Sequence, residues 1–197
     1  MGEKSVQKKQ YIVETARKVF MEKGYKNVTM KDIVDACEIS RGGLYLYFEN
    51  TAELFEAVLK MEAEERDDVF SDNVTEETTV TDILLMFLKE QKKELLRRKN
   101  NLTVAAYEFY FANSKNKAIR DEYPRGRFEQ AVETLAALLE EGVESGEFYE
   151  VDVHAMARNI MFLIEGMKVS SQTMGITEEM VDKEFAYIVQ NLVIEEE

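Results

Sequence analysis

A chain of 197 residues, 45% hydrophobic and 32% charged, can close a packed core, and its composition argues against a disordered segment. A single proline, set among many Ala, Leu, Glu and Lys, argues against a sheet-and-turn architecture and predicts an all-α protein. The net charge of −14 weighs against nucleic acid as a general partner, but the charge is unevenly distributed. Residues 1–31 carry eight Lys/Arg against three Glu, a balance of +5, which leaves −19 on the remainder. That asymmetry fits a basic end that meets a polyanion, carried on an acidic body.

No apolar run approaches the ~20 residues that a membrane helix needs. The first residues show no apolar stretch of the kind that directs secretion. No membrane association is expected, and the cytoplasm is the expected compartment. Cys37 is the lone cysteine, so no internal disulfide can form.

The first predicted helix carries Ile12, Ala16, Val19 and Phe20 on one face and ends at Gly24, a left-handed cap. Thr29 caps a short second helix with Asp32 three residues on, and Met30, Ile33, Val34 and Cys37 form its apolar face. Ser40 is the next N-cap and opens a third segment through Phe48. Asn50 and Glu53 form a further cap pair before a long fourth helix that starts with Leu54, Phe55, Val58 and Leu59. Ile83, Phe87 and Leu88 belong to a fifth helix that ends near Arg97, Arg98 and Lys99.

Residues 102–113 are dense in aromatics, and Pro124 is expected to break the pattern. Phe128, Val132, Leu135, Leu139 and Val143 then follow near-heptad spacing up to Gly146. Asp152 caps a helix with Met156, Ile160, Leu163, Ile164 and Met167. Thr177 caps the last, whose face is Val181, Phe185, Ile188 and Leu192. About nine helices result.

The second and third segments have the form of a helix-turn-helix, in which a tight turn lets the second helix lie in the major groove. Ile33, Val34, Ile39, Leu44 and Phe48 would lock the angle, with Arg41, Gly42, Gly43 and Tyr47 facing outward. Glycine there costs roughly 1 kcal/mol against alanine, and it lets backbone approach DNA closely.

The run Phe20-Met21-Glu22-Lys23-Gly24-Tyr25, then Val28-Thr29-Met30-Lys31-Asp32-Ile33, then Ile39-Ser40-Arg41-Gly42-Gly43-Leu44-Tyr45-Leu46-Tyr47-Phe48 with Leu54 resembles the tetracycline-repressor (TetR) family. The resemblance covers the first ~55 residues; beyond them only length, helix count and the Gly146-Glu147-Phe148 turn agree. It implies a DNA-binding domain over residues 1–49, with a helical ligand-binding and dimerisation domain over 50–197. The implied activity is that of a transcription regulator, a repressor released from a palindromic operator by a mostly apolar small molecule.

The resemblance also implies residue roles. Thr29 would touch phosphate through its hydroxyl and the helix N-terminus. Tyr45 and Tyr47 would likewise meet phosphates, with Tyr45 alternatively a core residue. Arg41 would read a base edge through its two-pronged donors, and Gly42 and Gly43 would admit the backbone. Lys8 and Lys9 would form an arm toward phosphates or the minor groove, or else a solvated surface. Two positions depart from the family: Glu38 stands where a turn glycine is usual, and Thr51 where a phosphate-binding lysine is usual.

For the body, the resemblance implies an apolar cavity and a two-fold homodimer. Phe87, Tyr107, Tyr110, Phe111, Phe128, Met161, Phe162 and Glu165 are the cavity candidates, with Phe109, Met167 and Glu108 nearby; any one of them can equally be core or surface. Ile160, Ile164, Met167, Val181, Phe185, Ile188 and Leu192 are the dimerisation candidates, with Gly166 allowing close helix approach.

An enzyme is the first rival reading, but the sole histidine, His154, has no nucleophile partner in sequence, and no phosphate loop or metal cluster is apparent. No catalytic residue, metal or cofactor is therefore expected. A helical protein-interaction module is the second rival, and the basic start together with Arg41-Gly42-Gly43 argues against it. Cys37 is expected as a small buried hydrophobe rather than a redox sensor.

Overall fold

The computed structural model describes residues 3–71, 75, 77–97 and 101–194. They form α1 (Glu3–Lys23), α2 (Met30–Cys37), α3 (Arg41–Tyr45), α4 (Thr51–Ser71), α5 (Val80–Leu96), α6 (Thr103–Ala112), α7 (Lys117–Arg120), a π-helical stretch (Asp121–Arg125), α8 (Gly126–Glu144), α9 (Val153–Thr173) and α10 (Glu178–Leu192). Residues 117–144 run on without a break, so the described residues make nine helical rods. Arg98 and Lys99, expected to close the fifth helix, lie outside the described residues.

The continuity across Pro124 corrects the expected break. Proline removes an N–H and crowds the carbonyl four residues back. The wider π turn accommodates both, a familiar form of single-turn bulge. Its closing residue has to be small, because a Cβ on Gly126 would stand 2.6 Å from the Asp121 carbonyl oxygen.

Side-chain caps start most of the helices. Thr29 and Thr79 form capping boxes with Asp32 and Asp82. Ser40, Asp152 and Thr177 accept from the backbone N–H three residues on, and Asn50 does the same for Glu53. Gly24 ends α1 with φ +73°, as its place in the sequence predicts.

The chain packs as two compact units, Met1–Asn73 with Lys99–Ser114 and Val74–Arg98 with Lys115–Glu197. In the first, Ile12, Ala16, Phe20, Ile33, Leu44 and Phe48 close the core of the first three helices. Leu54, Phe55 and Val58 of α4 are also fully buried, as is Phe109 of α6. The Phe55 ring lies edge-on to Phe20 at 4.7 Å and 5.1 Å from Phe109, while Tyr25 packs on both Phe55 and Phe109. Fewer than 50 residues bury too little apolar surface alone, and packing groups α4 and α6 with the first three helices, whereas the sequence-based division falls at 49/50.

The second unit is built on α5, α8, α9 and α10. Its core includes Leu84, Leu88, Val132, Leu139, Ala157, Ile164, Val181 and Leu192. The Gly146-Glu147-Phe148 turn is pinned from three sides. Phe148 occupies the space that a Cβ on Gly142 would need. The Glu147 carboxylate accepts from the N–H groups of Val80 and Thr81 at the start of α5, at 3.2 and 2.9 Å. Phe148 also pairs with Val193 in an isolated antiparallel bridge. Among the described residues no helix is long and apolar enough to cross a membrane.

Candidate nucleic-acid interface

The α2–α3 pair is assembled by local chemistry. Thr29 accepts from the Asp32 N–H, and the Asp32 carboxylate accepts from the Thr29 backbone N–H at 2.8 Å. Lys23 of α1 adds an ion pair to Asp32 at 2.6 Å. Lys23 first, and then the Thr29 hydroxyl and backbone N–H that both donate to it, hold the Asp32 carboxyl well below the ordinary carboxylate range. The turn that follows passes through Glu38 at φ 53°, ψ 38°, the one non-glycine residue with positive φ among those described. The departure from glycine thus leaves the left-handed turn in place but puts a side chain where it is sterically disfavoured. Cys37, just before, is buried, and burial pushes its thiol pKa up. Such a thiol is a poor nucleophile.

From Arg41 to Phe48 the backbone keeps a helical path, with the Leu46 N–H bonded to Gly42 O at 3.2 Å and Phe48 N–H to Leu44 O at 3.2 Å. Residues four apart therefore share a row, and four rows result. Leu44 and Phe48 form the buried row. Gly43 and Tyr47 lie against α1: Ser5 Oγ donates to Tyr47 Oη at 3.4 Å, and Lys8 Nζ stands 3.9 Å from the place of a Gly43 Cβ. Arg41 and Tyr45 form an exposed row, with the guanidinium 5.6 Å from the ring centroid. Gly42 and Leu46 form the last row, which is open to solvent.

The expected residues are therefore gathered on one side of the first unit, with three differences. Lys8 and Lys9 are not an arm, since both lie within α1, which begins at Glu3. Lys9 Nζ sits 5.4 Å from the Phe48 ring centroid, so α1 carries its charge beside the recognition segment. Tyr45 is 41% exposed and is not core, because its row faces away from Leu44. Tyr47 is only half-buried rather than fully outward. Leu46, 81% exposed in the same segment, was not singled out from sequence; an apolar residue one step from a helix end gives no periodic signal of exposure. An open cleft of about 760 Å³ runs beside these rows, with Thr29, Lys31, Arg41, Tyr45, Asn50 and Thr51 in its walls. Thr51, standing where the family has a lysine, puts no cation beside Asn50, and Asp35 and Glu49 line the same cleft.

The cavity candidates fall in both units. Tyr107, Tyr110 and Phe111 share α6, with ring centroids 6.2 Å (Tyr107–Tyr110) and 6.4 Å (Tyr107–Phe111) apart, and Phe111 is 73% exposed. Phe87 and Phe128 pack on the core of the second unit, Met161 is part of that core, and Phe162 lies against Phe128 at 4.7 Å. Glu165 binds Lys168 at 2.7 Å. Glu108 is a fixture of the first unit instead of a cavity charge: it accepts from the Lys26 N–H at 3.0 Å and packs against Gly24. His154 stands at the surface, 3.9 Å from Glu133.

The dimerisation candidates need correction. Ile160, Ile164, Met167, Val181, Phe185, Ile188 and Leu192 are all buried within their own chain. Each of the two helices turns its strongest apolar row into the core of its own chain. The rows left outside carry Phe162, Gly166 and Val169 on α9, and Met180 and Tyr187 on α10, all exposed.

Comparison with known proteins agrees with this geometry. The profile of bacterial regulatory proteins of the tetR family matches residues 12–58, and that of the tetracyclin repressor-like C-terminal domain matches residues 83–182. The HTH-type transcriptional regulator YfiR of Bacillus subtilis is 31% identical over 140 residues, 71% of this chain and 67% of its own. The HTH-type transcriptional repressor AcnR of Corynebacterium efficiens is 33% identical over 72 residues, covering 36% of this chain and 38% of its own. The crystal structure of a TetR transcriptional regulator from Chloroflexus aurantiacus superposes with a TM-score of 0.80 at 20% identity, over 98% of this chain and all of that one. The chain belongs to the TetR family of DNA-binding transcriptional regulators.

Proposed function

We propose that this regulator is a cytoplasmic repressor, without catalytic activity, that binds a palindromic operator as a homodimer and is released by a mostly apolar small molecule. The observation that carries the DNA contact is the segregation of rows in the recognition segment. Arg41, Tyr45 and Gly42 are exposed, Leu44 and Phe48 are buried, and Lys8 and Lys9 flank them. In this reading Arg41 leaves the Tyr45 ring to engage a guanine edge, and Thr29, Tyr45, Tyr47, Lys8 and Lys9 meet phosphates. Gly43 admits the backbone. Repression is supported by the likeness to AcnR, a protein named as a repressor.

A second copy docks on the outer rows of α9 and α10, where Phe162, Val169, Met180 and Tyr187 are exposed and Gly166 permits close approach. A two-fold pair then presents two recognition segments to successive major grooves. The ligand reading rests on aromatic content beyond core needs: of four aromatics on α6, only Phe109 is buried. Ligand binding would lower DNA affinity by favouring a state in which the two segments no longer match the groove spacing.

The test is a gel-shift competition between a duplex enriched from a random library by the wild-type protein and unrelated DNA. Arg41→Ala should lose roughly 1–3 kcal/mol of specific binding while the melting temperature holds. Unchanged discrimination would refute the role of Arg41. Screening apolar compounds for loss of DNA affinity tests the sensor reading, and a library in which none alters either affinity or melting temperature would overturn it.

A further inference from the structure

Leu46 is the most exposed large hydrophobic side chain among the described residues, at 81%. It follows α3 directly, with helical dihedrals of φ −69° and ψ −21°. Four residues on from Gly42, it shares that residue's row. Gly42 has no side chain, and nothing stands within 4 Å of the place where its Cβ would be. An exposed isobutyl group thus shares its row with bare backbone, one row from Arg41 and Tyr45, on the face proposed to meet DNA.

We infer that Leu46 is a specificity-determining residue that packs on the C5-methyl group of a thymine in the major groove. The inference rests on the DNA contact proposed above. Leucine neither donates nor accepts, so a phosphate or a polar base edge gains nothing from it. The thymine methyl is the apolar feature of the groove, and it distinguishes T·A from the other pairs at that edge. Five residues separate Leu46 from Arg41, about 7.5 Å of helix. With the segment along the groove, that is about two base-pair steps. Arg41 and Leu46 therefore read two pairs close together, one through hydrogen bonds and one through a methyl contact.

The experiment uses the full chain and the duplex enriched by the wild-type protein, with each thymine replaced singly by deoxyuridine, which lacks only the methyl. One position close to the pair read by Arg41 should weaken wild-type binding about fourfold, the worth of one buried methyl. Leu46→Ala should bind the all-thymine duplex about tenfold more weakly, with an unchanged melting temperature and unchanged affinity for unrelated DNA. Against Leu46→Ala, deoxyuridine at that position should have no further effect. Additive penalties at every thymine, or full specific affinity in Leu46→Ala, would overturn the assignment and leave the DNA contact itself standing. Failure of the wild-type chain to enrich any duplex would overturn the DNA reading, and this inference with it.

Discussion

Helices α3 and α10 each send one apolar row into a core and leave others in water. In the recognition segment the buried row is Leu44 with Phe48; in α10 it is Val181, Phe185, Ile188 and Leu192. What remains outside differs in kind. Around α3 the uncovered rows hold a guanidinium, a phenol, a leucine and bare glycine backbone, which suits a grooved polyanion with methyl groups on its floor. On α10 the uncovered row holds Met180 and Tyr187, which suits the apolar surface of another protein. The buried row specifies how the helix folds, and the uncovered row specifies what it meets.

The largest effect expected from that distinction comes from paired substitutions two residues apart on α10. Phe185→Ala removes a core ring and should cost about 3–5 kcal/mol of unfolding free energy at any protein concentration. Tyr187→Ala should leave unfolding of the single chain within about 0.5 kcal/mol of wild type while weakening self-association in sedimentation. Phe162→Ala should behave like Tyr187→Ala. If Phe185→Ala dissociated a dimer into well-folded single chains, Phe185 would be an interface residue and the comparison would fail.

These two regions were unequally legible in the sequence. Caps at Thr29, Ser40, Asn50, Asp152 and Thr177 are short-range signals that depend on a side chain and a backbone three residues away, and each is present in the fold. The recognition segment was legible because Gly42 and Arg41 are poor choices for a core, so their outward placement followed, whereas Gly43, also expected outward, lies against α1. The last two helices were not, because apolar spacing reports a buried row without saying what buries it. Val181 and Phe185 belong to one buried cluster with Leu84 and Leu88 of α5, residues distant in the chain that no local pattern identifies. Pro124 misled for the opposite reason: it breaks an ordinary α turn, but a π turn closed by Gly126 carries the helix through.

An intermediate effect is expected at the start of α2. Thr29→Ala removes the capping hydroxyl but keeps the backbone N–H that donates to Asp32, and should cost about 1 kcal/mol of stability. Asp32→Asn isolates the charge. The Asp32 carboxyl titrates below its ordinary value in the fold, so its contribution is full above the unfolded pKa of about 3.9 and is lost as pH falls through the folded value. The stability gap between wild type and Asp32→Asn should therefore be constant near neutrality and shrink below about pH 4, followed by denaturant unfolding. A gap that widens in acid would contradict the assigned role of the ion pair and cap.

The smallest effect is expected at the other end of α2, at Glu38, where backbone strain alone is at issue. A left-handed conformation costs a residue with a Cβ roughly 1–2 kcal/mol, and glycine escapes that cost. Glycine also makes the unfolded chain more flexible, which opposes folding by about 0.4–1 kcal/mol. The difference leaves Glu38→Gly more stable by about 0.5–1 kcal/mol. Glu38 is exposed, so little else should change. Gly175, with φ +77° between α9 and α10, is the control of opposite sign: Gly175→Ala should destabilise by a similar amount. Thermal unfolding of both variants decides the matter. A destabilised Glu38→Gly would mean that the turn draws support from the glutamate, and the departure from the family's usual glycine would then reflect a gained interaction instead of tolerated strain.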